Sequence, residues 1–262
     1  MRILIRNLSV CLLLAFLSIQ TVYAGSFKVF PLRLDLDQKT KTTLFKITNT
    51  GDQAVTIQLE SAIWSQDEKG EDQYQPTSDI VFFPKIVKVE KGEQRIIRIG
   101  YRGRPANRME KSYRIFAQEL LERSEKKGNL SFALRFSVPI FIHGQNNKAK
   151  PEIAQASMKN GMLSVLMKNT GAEHLIVKSV SVSGKTSEGE EVFSESAGGW
   201  YVLPNASRPF MVSLPEEPCG RSQTLDFAVE ISNKFYKNSI PVNSAECVMT
   251  DKLDSQRFSF EQ

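Results

Sequence analysis

Residues 130–143 constrain the fold of this chain more than any other stretch. They read Leu-Ser-Phe-Ala-Leu-Arg-Phe-Ser-Val-Pro-Ile-Phe-Ile-His. Leu130, Phe132, Leu134, Phe136, Val138, Ile140 and Ile142 stand at every second position, with mostly small or polar residues between them. Successive side chains of a strand point to opposite faces, so period two gathers all seven on one face. A half-buried strand is the plain reading, but the length argues for more. Ordinary strands run roughly five or six residues, whereas this one, at about 3.3 Å per residue, would span on the order of 40 Å. A domain of about 120 residues is only some 30–40 Å across. Part of the apolar stripe is therefore expected to reach beyond its own core. Pro139 cannot donate to a ladder and belongs on an edge strand. A long apolar edge invites pairing with other chains and is normally blunted. Left unblunted, it points to a surface made for a partner chain.

The rest of the chain is strand-rich and exported in character. Met1-Arg2-Ile3-Leu4-Ile5-Arg6, an apolar run over residues 10–19 and Val22-Tyr23-Ala24 form the charged, apolar and small-residue parts of a leader. Cleavage is expected after Ala24. The apolar run is shorter than the roughly 20 residues a membrane span needs, and no later stretch approaches that length, so no span is expected after cleavage. Loss of Arg2 and Arg6 leaves 32 Lys and Arg against 29 Asp and Glu, a charge of +3 that gives no ground for nucleic-acid binding. Cys11 leaves with the leader. Cys219 and Cys247 remain as an even pair in an oxidising compartment and are expected to form one disulfide.

The 238 residues that remain suit two domains of about 120 each. Strand patterns cover residues 27–36, 42–48, 54–64, 80–89, 95–101, 112–121 and then 130–143. Polar or charged turns separate them, among them residues 67–72, the basic loop 102–110 and the turn 122–129. Residues 144–150 read as a linker. A second strand-rich set follows over residues 151–250, and residues 251–262 are a polar tail. Asn169-Thr170-Gly171 echoes Asn49-Thr50-Gly51, each after a second strand, as if both halves shared one plan. The spacing predicts an all-β chain of two immunoglobulin-like β-sandwiches, one over 25–143 and one over 151–250, with no amphipathic helix.

Catalytic constellations are missing from the sequence. His143 and His174 are far apart, each in a strand context and without partners at metal-ligand spacing, so no metal site is expected. No Gly-x-Ser-x-Gly, glycine-rich phosphate loop or free cysteine nucleophile is present. No cofactor is called for. The sequence reads as a binding protein, not an enzyme.

At several points in order the chain resembles the periplasmic pilus-assembly chaperones, the PapD-like chaperone–usher family. The residues carrying the resemblance are Val29-Phe30-Pro31-Leu32-Arg33, Ile47-Thr48-Asn49, Glu90-Lys91-Gly92-Glu93 and Glu110-Lys111-Ser112-Tyr113-Arg114 leading into Glu119. The turn Arg123-Ser124-Glu125-Lys126-Lys127 and the alternating strand complete the set. The resemblance implies two immunoglobulin-like domains in a boomerang and a location in the periplasm. It also implies capture of pilus subunits by donor-strand complementation and their delivery to an outer-membrane usher. Leu130, Phe132, Leu134, Phe136 and Val138 fall on the donor row. Arg33 matches the arginine of the family's carboxylate anchor, while the anchor lysine falls on Pro139. The turn at 122–129 would set Pro139 opposite about residue 112, with Arg114 roughly two residues away. Arg114 could then supply the missing charge or be a plain surface residue. These departures, with the absent proline pair after the sixth strand, resemble the archaic or alternative branch. An exported two-domain adhesin or structural protein is the competing reading.

Overall fold

The computed structural model describes residues 27–121, 132–145 and 147–248. The leader with Cys11, the turn at 122–129, Leu130 and the tail 251–262 lie outside the described residues. Ten strands build the first half of the chain. They are β1 (Phe27–Phe30), β2 (Leu34–Leu36), β3 (Thr42–Asn49), β4 (Val55–Gln66) and β5 (Asp72–Pro76), then β6 (Ile80–Phe83), β7 (Ile86–Val89), β8 (Gln94–Tyr101), β9 (Lys111–Leu120) and β10 (Arg135–Ile142). A sheet in the order β1-β3-β8-β6 packs on one in the order β2-β10-β9-β4-β5, with β7 added along β4. Alternation chooses the inner faces: Phe45, Ile47, Ile57, Leu59, Ile97, Ile99, Ile115 and Ile140 all turn into the space between the sheets.

Two runs expected as single strands are each divided at a proline. Residues 27–36 become β1, antiparallel to β3, and β2, parallel to β10 in the other sheet. Residues 80–89 become β6 on β8 and β7 on β4. Pro31 and Pro84 have no N–H to donate, so the ladder stops there and the chain crosses between sheets. The polar loop expected over 67–72 is shorter than its composition implied, because Asp72 already opens β5. Asp67 ties that turn by accepting the backbone N–H groups of Lys69 and Glu71.

The second half is a sandwich of its own. Strands β11 (Pro151–Lys159), β12 (Met162–Asn169) and β16 (Ser207–Ser213) form one sheet. The other runs β14 (Glu191–Gly198), β13 (Leu175–Lys185), β17 (Thr224–Ile231) and β18 (Lys234–Pro241), with β15 (Tyr201–Val202) on β13. Leu163, Val165, Val177, Val182, Phe210, Phe227 and Val229 fill its core. A short helix that the sequence pattern did not announce, α1 (Glu216–Gly220), carries Cys219 to Cys247 on a 3₁₀ turn, and the two buried cysteines are bonded.

The echoed triplets do the same work in both sandwiches. Asn49 is buried, donates through Nδ2 to the carbonyls of Gln53 and Val89, and accepts the N–H of Gly51. Asn169 is buried, donates to the carbonyls of Glu173 and Val202, and accepts the N–H of Gly171. Each amide satisfies backbone groups that a turn beside a core would otherwise leave without partners.

The two halves also touch closely. Gln66 bonds the backbone of Tyr201 and Leu203, and Trp200 Nε1 donates to Asp72 at 2.8 Å. Gly70 has a φ of +78°, and a β-carbon there would lie 2.7 Å from the backbone of Arg208. Only glycine meets both demands.

Candidate functional site

Strand β10 is paired along all its length on one side and along only part of it on the other. Its antiparallel register with β9 sets Pro139 opposite Arg114. That corrects the expected pairing with residue 112 by two positions: the charge is directly across the ladder, with no gap to span. On the far side β2 pairs only with Ile140–Ile142. Among the described residues no strand runs beside residues 135–139, so this edge is open.

Exposure falls steadily along the donor row. Phe132 is 75% exposed, Leu134 and Phe136 are half-buried against the rim of the core, and Val138 is 2% exposed inside it. Of the row expected to serve a partner, Leu134 is thus partly covered by its own chain, and Val138 belongs to its own sandwich. The cause is the opposite sheet, where Phe27 of β1 meets Phe136 edge to face at 5.0 Å and closes the core at that level. Among the described residues nothing on β1 lies beyond it to cover the stripe.

Arg114 departs from both readings the sequence allowed. Tyr113, Ile115 and Ala117 fill the core, which turns Arg114 to the outer face of the sheet, towards the second sandwich. There it is only 2% exposed. Its guanidinium carbon lies 3.7 Å from the ring centre of Trp64, 5.3 Å from that of Trp200 and 5.8 Å from that of Tyr201. The chain has two tryptophans, and both are here. Nη1 donates to the carbonyl of Ser137 at 3.3 Å. Nε and Nη2 have no acceptor, nor does Nε1 of Trp64. Burial pushes the Arg114 pKa down. Asp72, the nearby carboxylate, is already engaged by Trp200 and by Arg208 at 3.4 Å. Arg33 is 45% exposed at its side chain and pairs with Asp35 at 2.9 Å. Burial raises the Tyr201 phenol, and the charges of Arg33 and Arg114 both oppose that shift.

Next to this box the two histidines, expected to be apart, are brought together by the fold. His143 Nε2 pairs with Asp35 Oδ1 at 2.9 Å, and its Nδ1 lies 3.1 Å from Glu110 Oε2 and 3.6 Å from Glu173 Oε1. His174 stacks on Phe141 with ring centres 3.7 Å apart, and its Nδ1 is 2.8 Å from Glu110 Oε1. The bond to Asp35 and the closeness of Glu110 push the His143 pKa up to about 10. Burial alone would raise the Glu110 carboxyl, but the two imidazoles outweigh it and hold it below its ordinary value. Trp64, Asp72, Trp200 and Tyr201 were not singled out from the sequence, and Glu110 was named there only as the start of a family motif.

A chain of two such β-sandwiches, with an open edge strand beside a buried arginine, has the fold of the pilus chaperones. Residues 26–148, which include the whole of the first sandwich, match the family of pili and flagellar-assembly chaperones, PapD N-terminal domain. No curated protein matches the chain. Among solved structures, it is similar to a chain of the CsuC–CsuE chaperone–tip adhesion subunit pre-assembly complex from the archaic chaperone–usher Csu pili of Acinetobacter baumannii. That match has 20% identity and a TM-score of 0.57, covering 82% of this chain and 98% of that one. The CupB2 chaperone of Pseudomonas aeruginosa matches at 14% identity and TM-score 0.51, over 82% of this chain and 100% of its own. A chain of the Salmonella enterica SafA pilin–SafB chaperone complex matches at 13% identity and TM-score 0.51, over 85% and 99%. Among the described residues no helix is long and apolar enough to cross a membrane.

Proposed function

We propose that this protein is a periplasmic chaperone of the archaic or alternative branch that captures pilus subunits on the open edge of β10 and delivers them to an outer-membrane usher. The observation that carries the reading is the pairing of that edge with Arg114, whose Nε and Nη2 lie buried without acceptors directly across from Pro139. A carboxylate at the end of an incoming strand supplies the missing acceptors, and a guanidinium takes it two oxygens at a time. Arg33, releasing Asp35, adds the second charge. Trp200 is 38% exposed and has a single side-chain bond, to Asp72, so it is the part of the cover that yields to the carboxylate.

Main-chain ladder bonds along residues 135–139 then give affinity that does not depend on the subunit's sequence. Phe132 and the exposed parts of Leu134 and Phe136 enter the subunit's unfinished core, each fully buried ring or leucine contributing about 1.5–3 kcal/mol. The test is Phe132→Glu in a chaperone co-expressed with candidate subunits. Because Phe132 is exposed, its melting temperature should stay near wild type. Co-purified subunit should be lost, since a carboxylate would enter an apolar groove. A Phe132→Glu protein that still carries subunit defeats the donor-strand reading.

A further inference from the structure

We propose that Glu110, His143 and Glu173 form a zinc site that bridges the two sandwiches, with Asp35 and His174 orienting its ligands. Ligand atoms of Glu110, His143 and Glu173 all lie within 4.8 Å of one another. Nδ1 of His143 is 3.1 Å from Glu110 Oε2 and 3.6 Å from Glu173 Oε1. Two ligands of a tetrahedral zinc ion, each about 2.0 Å from the metal, stand about 3.3 Å apart. The two separations from His143 bracket that value.

The atoms facing the shared space are the ones left over from other bonds. Glu110 Oε1 accepts from the backbone N–H of His174 at 3.2 Å and is paired with its ring at 2.8 Å. Glu110 Oε2, on a side chain with no exposed surface, lies near His143 but makes no aligned hydrogen bond. In the metal-free protein the His143 ring is the group that faces this buried oxygen, and zinc would take the place of the proton on Nδ1. His143 repeats the pattern, with Nε2 tied to Asp35 and Nδ1 turned to the cluster. A carboxylate behind a ligating imidazole is how zinc proteins fix the ring and strengthen the ligand. Nitrogen with two carboxylate oxygens suits zinc better than calcium or magnesium.

Glu173 is 34% and His143 28% exposed at the side chain, which leaves a way in and a fourth position for water. Glu173 comes from the second sandwich, Glu110 and His143 from the first or its end, so the ion would hold the two together. The backbone bond from Glu110 to Ala172, at 2.9 Å, already sets their spacing.

The probe is zinc alone, added to the untagged mature chain without any subunit, so the outcome does not depend on subunit capture. Chelator competition and calorimetry should give one zinc per chain, with a higher melting temperature when zinc is present. His143→Ala and Glu173→Gln should each weaken binding tenfold or more, and Asp35→Asn, one shell out, by about 10- to 100-fold. Glu188→Gln, on a distant exposed turn, serves as the control. If His143→Ala fails to fold, the affinity of Glu173→Gln decides alone. Absence of stoichiometric zinc on the wild type, or wild-type affinity in Glu173→Gln, overturns the proposal.

Discussion

Replacing Arg114 by methionine separates its two possible roles. The variant keeps a long side chain under Trp64 and removes the charge. In the free protein the guanidinium leaves two buried nitrogens, Nε and Nη2, without acceptors, each nitrogen a cost of about 2 kcal/mol. Against that stand its contact with the Trp64 ring at 3.7 Å, worth about 2 kcal/mol when desolvated, and one charge-assisted bond to the Ser137 carbonyl, again about 2 kcal/mol. Gains and losses nearly cancel. Stability should therefore move by no more than about 1–2 kcal/mol, a shift of roughly 2–8 °C in melting temperature for a protein of this size. Subunit capture should collapse, because the acceptor-seeking group is gone. Arg33→Ala, at an exposed position, should likewise leave stability alone and weaken capture. Differential scanning calorimetry and co-purification on the same preparations provide both readouts. If Arg114→Met unfolds the protein, the arginine is a structural pillar of the junction. If the variant is folded and still loads subunits normally, it is no anchor.

Two further outcomes follow from groups away from the open edge. Cys219→Ser with Cys247→Ser opens a loop of 28 residues, which should cost about 3–4 kcal/mol; the wild type should show no titratable thiol, and two would refute the bond. In chelator-treated protein, the raised His143 pKa means that protonation favours the folded junction. Its contribution is complete below the unfolded value of about 6.5 and is lost as pH rises through about 10. Melting temperature followed from pH 6 to pH 10.5 should therefore fall more for wild type than for His143→Gln, and parallel curves would exclude that contribution.

Much of the fold was legible because its signals are local. Alternation and turn triplets placed the strands, and Asn49 and Asn169 announced their shared plan in the letters themselves. The half-exposure of Leu134 was not legible. Period two tells which face a residue takes but not where the opposite sheet ends, and Phe27 sets that limit from another strand. Arg114 could be named from its neighbours in sequence, yet its burial depends on Trp64, Trp200 and Tyr201, which arrive from β4 and from the second sandwich. His143 and His174 looked isolated for the same reason. Glu110 joins them only once the two halves are packed.

The closed end of the open edge has a consequence for what can be carried. β2 stops an added strand at Ile140, and the arginines stand beside that stop. On the proposed reading, a subunit's last residue is fixed there and every residue before it is counted off against Phe136, Leu134 and Phe132 in turn. The edge works as a ruler with a zero mark. Adding or deleting one residue at a subunit's end would turn its apolar side chains to the wrong face, while adding two would keep the face and advance it by one step. Length, as much as composition, would then separate the chain's own cargo from other exported proteins.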